Sequence, residues 1–207
     1  EAIDAAYDFA VDYMKYLDDA KTEREAVDAS IVIAEAAGFK PYSIGQKLNI
    51  GDKCYYNNRG KNLFLFTIGS ENLEEGIRIS AAHIDSPRID LKQVPLYEDE
   101  GMSFLKTHYY GGIRKYQWLA IPLALHGVVI KADGTSVNVV IGEDDNDPIL
   151  VVSDLLIHLA ADQMQKPLAK GIEGEQLNVI LGTEPIEGEG GDLVKLNVMK
   201  FLNEKYG

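Results

Sequence analysis

Cysteine is almost absent from this chain: Cys54 is the single one among 207 residues. One thiol forms no internal disulfide and no cysteine-rich zinc site. Such sparing use fits a reducing compartment, so the expected location is the cytoplasm. Long apolar runs are also missing. None approaches the roughly 20 residues that span a bilayer, so no membrane partner is expected. The N-terminus is acidic and amphipathic, without a basic start before an apolar core, and does not read as a signal peptide. Positive charge is scarce. The 20 Lys and Arg face 33 Asp and Glu, for a net charge of −13. A phosphate backbone is repelled by that balance, so nucleic acid is not expected as a partner.

Several compact motifs are lacking as well. Gly111-Gly112 is not set in a GxGxxG or Walker spacing, which argues against nucleotide binding. Ser86 has no nucleophile elbow around it. The four histidines, His83, His108, His126 and His158, form no HExxH pair. A metal site in this chain has to gather ligands from distant positions.

The residues that are present describe a folded mixed protein. The chain is 46% hydrophobic and 26% charged. Ile3, Ala6, Tyr7, Ala10, Val11, Met14 and Leu17 recur at helical spacing, and Asp18-Asp19 ends the pattern. Thr22 and Glu25 form a capping box that opens a second helix, stopped by Gly38 and Pro41. The period then changes to two. Lys53–Tyr56 and Leu63–Ile68 read as strands about a turn at Asn57–Gly60, and Gly76–Ala82 reads as a third strand. Leu91–Gly112 reads as extended and irregular. Trp118–Lys131 and Ser136–Gly142 read as strands about Asp133-Gly134, a hairpin signal. Ile149–Val152 is a short strand. Ser153 is placed to cap a helix running through Leu155, Leu159 and Met164 to Pro167. Leu177–Leu181 is a strand, Thr183–Gly191 an acidic glycine-rich loop, and Asp192 opens a last helix. Helices followed by strands suit an α/β architecture. A domain boundary is placed near residues 92–106.

The most informative run is Ala82-His83-Ile84-Asp85-Ser86-Pro87, at the end of the third expected strand. Residues two apart on a strand share a side. His83 and Asp85 are therefore placed to cooperate, with the imidazole on a metal and the carboxylate orienting the ring. The pair by itself also reads as a polar contact at a loop start. The other histidines have plain structural readings. His126 sits in an apolar strand and reads as a hydrogen-bonded core or edge residue. His108 stands beside Tyr109-Tyr110, in a loop packed by aromatics. His158 reads as a helix-surface residue with Asp162 one turn on. Arg88 and Arg114 are candidate carboxylate donors, each read more readily as a structural ion-pair partner.

The longer run from Ala82 through Ser86-Pro87-Arg88-Ile89-Asp90 to Lys92 resembles the aspartyl aminopeptidase family of dinuclear-zinc exopeptidases, in its bacterial branch. The resemblance continues through Tyr109–Ile113, Trp118–Gly127 and Ile149–Leu159, so it covers most of the chain. It implies a phosphorylase/hydrolase-like α/β core, incomplete here, with an inserted mainly-β assembly domain. Residues 1–92 would be the first part of the catalytic domain and 93–207 the insert. His83 would be a zinc ligand and Asp85 the aspartate that orients it. His158 would reach the active site of a neighbouring subunit and bind the scissile carbonyl as it becomes an oxyanion.

The resemblance further implies two zinc ions per complete site, a peptide substrate with an acidic N-terminal residue, and a homo-oligomer assembled through residues 93–207. The family's remaining ligands and its general base follow the insert, and no Glu-Glu pair in a suitable context follows residue 92. This chain is therefore expected to be a fragment of the enzyme, inactive by itself. Two other readings stand beside it: a non-catalytic oligomerisation module, and another exopeptidase of the same zinc superfamily.

Overall fold

The structure, a computed structural model, describes residues 1–207. It divides into two units, Glu1–Ser86 and Pro87–Gly207.

In the first unit, α1 (Ala2–Asp19) and α2 (Glu23–Ala36) occupy the segments whose apolar residues recur at helical spacing. The capping box forms as read. The Thr22 N–H donates to Glu25 Oε2 at 2.9 Å, and the Thr22 hydroxyl oxygen accepts from the Glu25 N–H. Two orphan amide groups are thereby satisfied at the helix start. A three-stranded sheet follows in the order β1 (Lys40–Pro41), β2 (Lys53–Asn58), β3 (Asn62–Thr67). Strands β2 and β3 form a hairpin, with Arg59 and Gly60 at positive φ in its turn. Cys54 is fully buried in β2, and the neighbouring Tyr55 hydroxyl donates to Glu35 Oε1 at 2.8 Å, tying the sheet to α2. The buried core is small: Ala26, Val27 and Ala34 of α2 against Cys54 and Tyr55.

The third expected strand is not formed. Residues 76–87 run without regular structure, and Ile77 and Ile79 are 63% and 77% exposed. Alternating apolar residues become a strand only when a neighbour supplies hydrogen bonds and cover, and this unit offers the segment neither.

The second unit opens with a long hairpin where an irregular segment was expected. Strand β4 (Arg88–Asp99) pairs antiparallel with β5 (Met102–Tyr110) through a tight turn at Glu100-Gly101, both at positive φ. The register shifts between Leu91 and Leu96. That bulge, with Pro95 inside it, interrupts the alternation a strand would otherwise show. The Trp118–Lys131 run contains only one strand, β6 (Leu125–Ile130), paired with β7 (Ser136–Ile141) around Asp133-Gly134. The stretch Ile149–Val152 makes isolated bridges only.

The helix expected from Ser153 is confined to α3 (Ala161–Gln165), followed by the single turn α4 (Leu168–Gly171). Short helices need tertiary packing to form, and the apolar residues Leu155, Leu156, Ile157 and Leu159 find none in this unit. All four are exposed here. Strand β8 (Val179–Gly182) joins β5, and α5 (Leu193–Tyr206) closes the unit. Asp192 precedes α5 at φ 60° without a side-chain capping bond. Leu105, Ile141, Val152, Leu177, Leu181 and Val198 form the centre of the core.

The end of α5 is fastened by polar contacts. Lys205 Nζ donates to the Asp147 carboxylate, which also accepts from the Gly142 N–H at 2.9 Å. The Tyr206 hydroxyl accepts from the Val140 N–H at 3.1 Å and donates to the Val140 carbonyl. The Lys205 hydrogen bond, then the Gly142 N–H, hold the Asp147 carboxyl below the ordinary carboxylate range. A carboxylate lowered in the folded state contributes stability above its ordinary pKa, and that contribution is lost as pH falls through the folded value. Replacement of Lys205 by Met is therefore expected to lower the melting temperature near neutral pH. It should also flatten the decline in stability expected of the parent below about pH 4. Thermal melts between neutral and acid pH measure both, and parallel curves would contradict the assignment.

Candidate functional site

The loop that replaces the expected strand end still brings His83 and Asp85 together. His83 Nδ1 lies 2.9 Å from the Asp85 backbone oxygen and 3.5 Å from Asp85 Oδ1. The shorter contact is thus to the main chain, with the carboxylate alongside. A proton on Nδ1 satisfies that carbonyl and leaves the Nε2 lone pair directed away from it, the arrangement a metal-binding imidazole needs. The His83 side chain is 83% exposed, so Nε2 is open to a ligand.

His158 belongs to the second unit. It sits in an exposed turn closed by the Leu159 N–H on the Leu156 carbonyl at 2.8 Å, ahead of α3 and not on a helix. The i, i+4 relation to Asp162 therefore does not apply. Around the imidazole, Leu156 is 71% exposed, Ile157 63% and Leu159 68%.

The remaining candidates are tied into the fold. Arg88 Nε donates to Asp90 Oδ1 at 2.7 Å, and the guanidinium lies 4.3 Å over the Tyr110 ring. Arg114 donates to the Tyr116 hydroxyl. His126 Nε2 is 2.9 Å from Glu143 Oε1 at the hairpin edge. His108 lies on β5, not in a loop.

Among the described residues, no group of three or more His, Cys, Asp or Glu is placed to hold a metal ion. Zinc takes roughly three or four protein ligands. The donors present therefore fit one coordination position, His83 Nε2 with Asp85 behind the ring, and do not complete a zinc centre.

The family described as aminopeptidase I zinc metalloprotease (M18) matches residues 16–207. The chain belongs to this family. A probable M18 family aminopeptidase 1 from Clostridium acetobutylicum is 54% identical over 199 residues, covering 94% of this chain and 43% of the relative. The crystal structure of the M18 aminopeptidase from Thermotoga maritima superposes with a TM-score of 0.91 at 42% identity, covering 99% of this chain and 45% of that one. Aminopeptidase I from Borrelia burgdorferi gives 0.84 at 34% identity, covering 99% and 46%.

A yeast relative solved as a dodecamer shares the fold at 20% identity and a TM-score of 0.67, covering 95% of this chain and 44% of its own. The M18 chain thus has a mixed α/β fold and spans less than half the length of the relatives it matches. None of its helices is long and apolar enough to cross a membrane.

Proposed function

We propose that the full-length protein is a cytoplasmic zinc aminopeptidase that releases N-terminal residues, preferentially acidic ones, from peptides. The observation that carries this is the family match over residues 16–207, with a metal-competent imidazole at His83 inside it. In this reading residues 1–92 begin a phosphorylase/hydrolase-like catalytic domain and 93–207 form an inserted assembly domain. His83 is a zinc ligand. Asp85 is a positioning residue that fixes the His83 ring. His158 donates to the carbonyl oxygen of the scissile bond in a neighbouring subunit as charge develops there. The rest of the two-zinc centre and the proton-transfer group lie outside residues 1–207. The chain by itself accordingly does not turn over.

The experiment is zinc analysis together with turnover of peptides bearing N-terminal Asp, Glu or Leu. Zinc-dependent release, fastest from Asp or Glu, is expected of the full-length protein. A preference for Leu would favour another exopeptidase of the superfamily. Oligomers with neither zinc nor turnover would favour a pure assembly module.

Self-association is supported by the apolar surface around His158. Leu155, Leu156, Ile157, Leu159, Met164 and Leu168 are each at least 52% exposed within fourteen positions of sequence. Contiguous exposed apolar groups of this kind mark interaction sites. Replacing both Leu156 and Leu159 by Asp in the full-length protein is expected to shift sedimentation from oligomer toward smaller species and to depress turnover. Zinc content per chain should stay near the parent's. An unchanged oligomer would remove this surface from the interface.

A further inference from the structure

A second cleft lies in the Pro87–Gly207 unit, built from residues with no part in the proposed chemistry. Val151 and Ile180 form one antiparallel bridge, exchanging hydrogen bonds of 3.3 and 2.8 Å. Continued in register, that ladder would set Ile149 opposite Gly182. The pair does not form. Asp147 is held toward Gly142 and Lys205, while the Glu184 carbonyl accepts from Asn197 Nδ2 at 3.0 Å. The two chains are drawn apart, and a cleft of about 490 Å³ opens between them, floored by Val198 and Phe201 of α5.

The walls of this cleft carry unused backbone groups. Neither the N–H nor the C=O of Ile149 or of Thr183 has a protein partner. The Ile149 side chain is 74% exposed at the rim. Unpaired strand groups beside an apolar floor are the features that accept an extended peptide as an added strand. The charge is one-sided. Glu184 lines the cleft and makes no ion pair, Asp145 is exposed nearby, and no Lys, Arg or His lines the opening.

We propose that this cleft docks an extended cationic peptide segment. Its backbone pairs with the free groups of Ile149 and Thr183, an apolar side chain rests on Val198 and Phe201, and a basic side chain meets Glu184. The occupant is bound and not cleaved, so the proposal does not depend on the aminopeptidase reading.

The test uses the full-length protein and a fluorescent peptide of alternating lysine and valine, N-acetylated to block release of its first residue. Saturable binding is expected by polarisation, with no binding of the glutamate–valine analogue. Glu184→Lys, an exposed change, should weaken binding by about tenfold or more, the effect of losing a single ionic contact of moderate strength. Hydrogen exchange should slow at Ile149 and Thr183 when the peptide binds. Absence of saturable binding would overturn the proposal. So would binding that ignores Glu184→Lys, or that an N-terminal acidic dipeptide displaces, since either places the peptide elsewhere. Dissociation of the oligomer by Glu184→Lys would assign the cleft to a second copy of the chain and overturn it as well.

Discussion

His83→Ala in the full-length protein is expected to abolish stoichiometric zinc and aminopeptidase turnover together while leaving the melting curve of the metal-free protein close to the parent's. The reason is the exposure of the ring. At 83% exposed, the His83 side chain contributes almost no packing, so its loss costs the fold little. Its value lies in Nε2, which the Nδ1 contact to Asp85 leaves available. Asp85→Asn is expected to be milder. The 2.9 Å contact is to the Asp85 backbone oxygen and survives the change. The carboxylate contact at 3.5 Å is lost. Removal of a group that supports a metal ligand typically costs about 10–100-fold in metal affinity or activity. Elemental analysis after dialysis, alongside initial rates, measures both variants. Full zinc occupancy in His83→Ala would remove the residue from the metal site.

How much of this could be read from the amino-acid order depended on whether the determining contacts were local. The capping box at Thr22 and Glu25 and the Asp133-Gly134 hairpin are settled within a few residues, and both formed as expected. The stretch around Ile77 and Ile79 has the alternation of a strand, but pairing is a property of two segments, and no second one reaches it here. The hairpin of β4 and β5 is hidden in the sequence for the opposite reason. Its two halves do pair, yet the bulge around Pro95 scrambles the period-two signal that would have announced it.

The cap residue Ser153 and the spacing of Leu155, Leu159 and Met164 read as a helix, but Leu155, Leu156, Ile157 and Leu159 lie outside α3 and are exposed. Their exposure fits a different use of the same chemistry, burial against another chain. At the candidate site, the nearness of His83 and Asp85 was legible from their spacing. That the short contact runs to a carbonyl and not to the carboxylate was not, since a two-residue spacing does not say which oxygen faces the ring.

The role proposed for His158 leads to the second large effect and to a test of where each site's parts come from. His158→Ala in the full-length protein is expected to lower turnover by about 100-fold or more, the usual cost of removing one oxyanion donor. Zinc content and oligomer size should not change, because the imidazole is not a proposed zinc ligand and the exposed apolar side chains around it stay in place. The decisive measurement mixes this variant with His83→Ala in one assembly. If a working site takes His83 from one subunit and His158 from its neighbour, some sites in the mixed oligomer receive both intact residues, and activity reappears from two inactive parents. If both residues serve from the same chain, every site in the mixture carries one lesion and no activity returns. Co-expression with two affinity tags isolates the mixed species. Recovery tied to the mixed fraction would establish a shared site, and its absence from verified mixed oligomers would confine His158 to its own subunit.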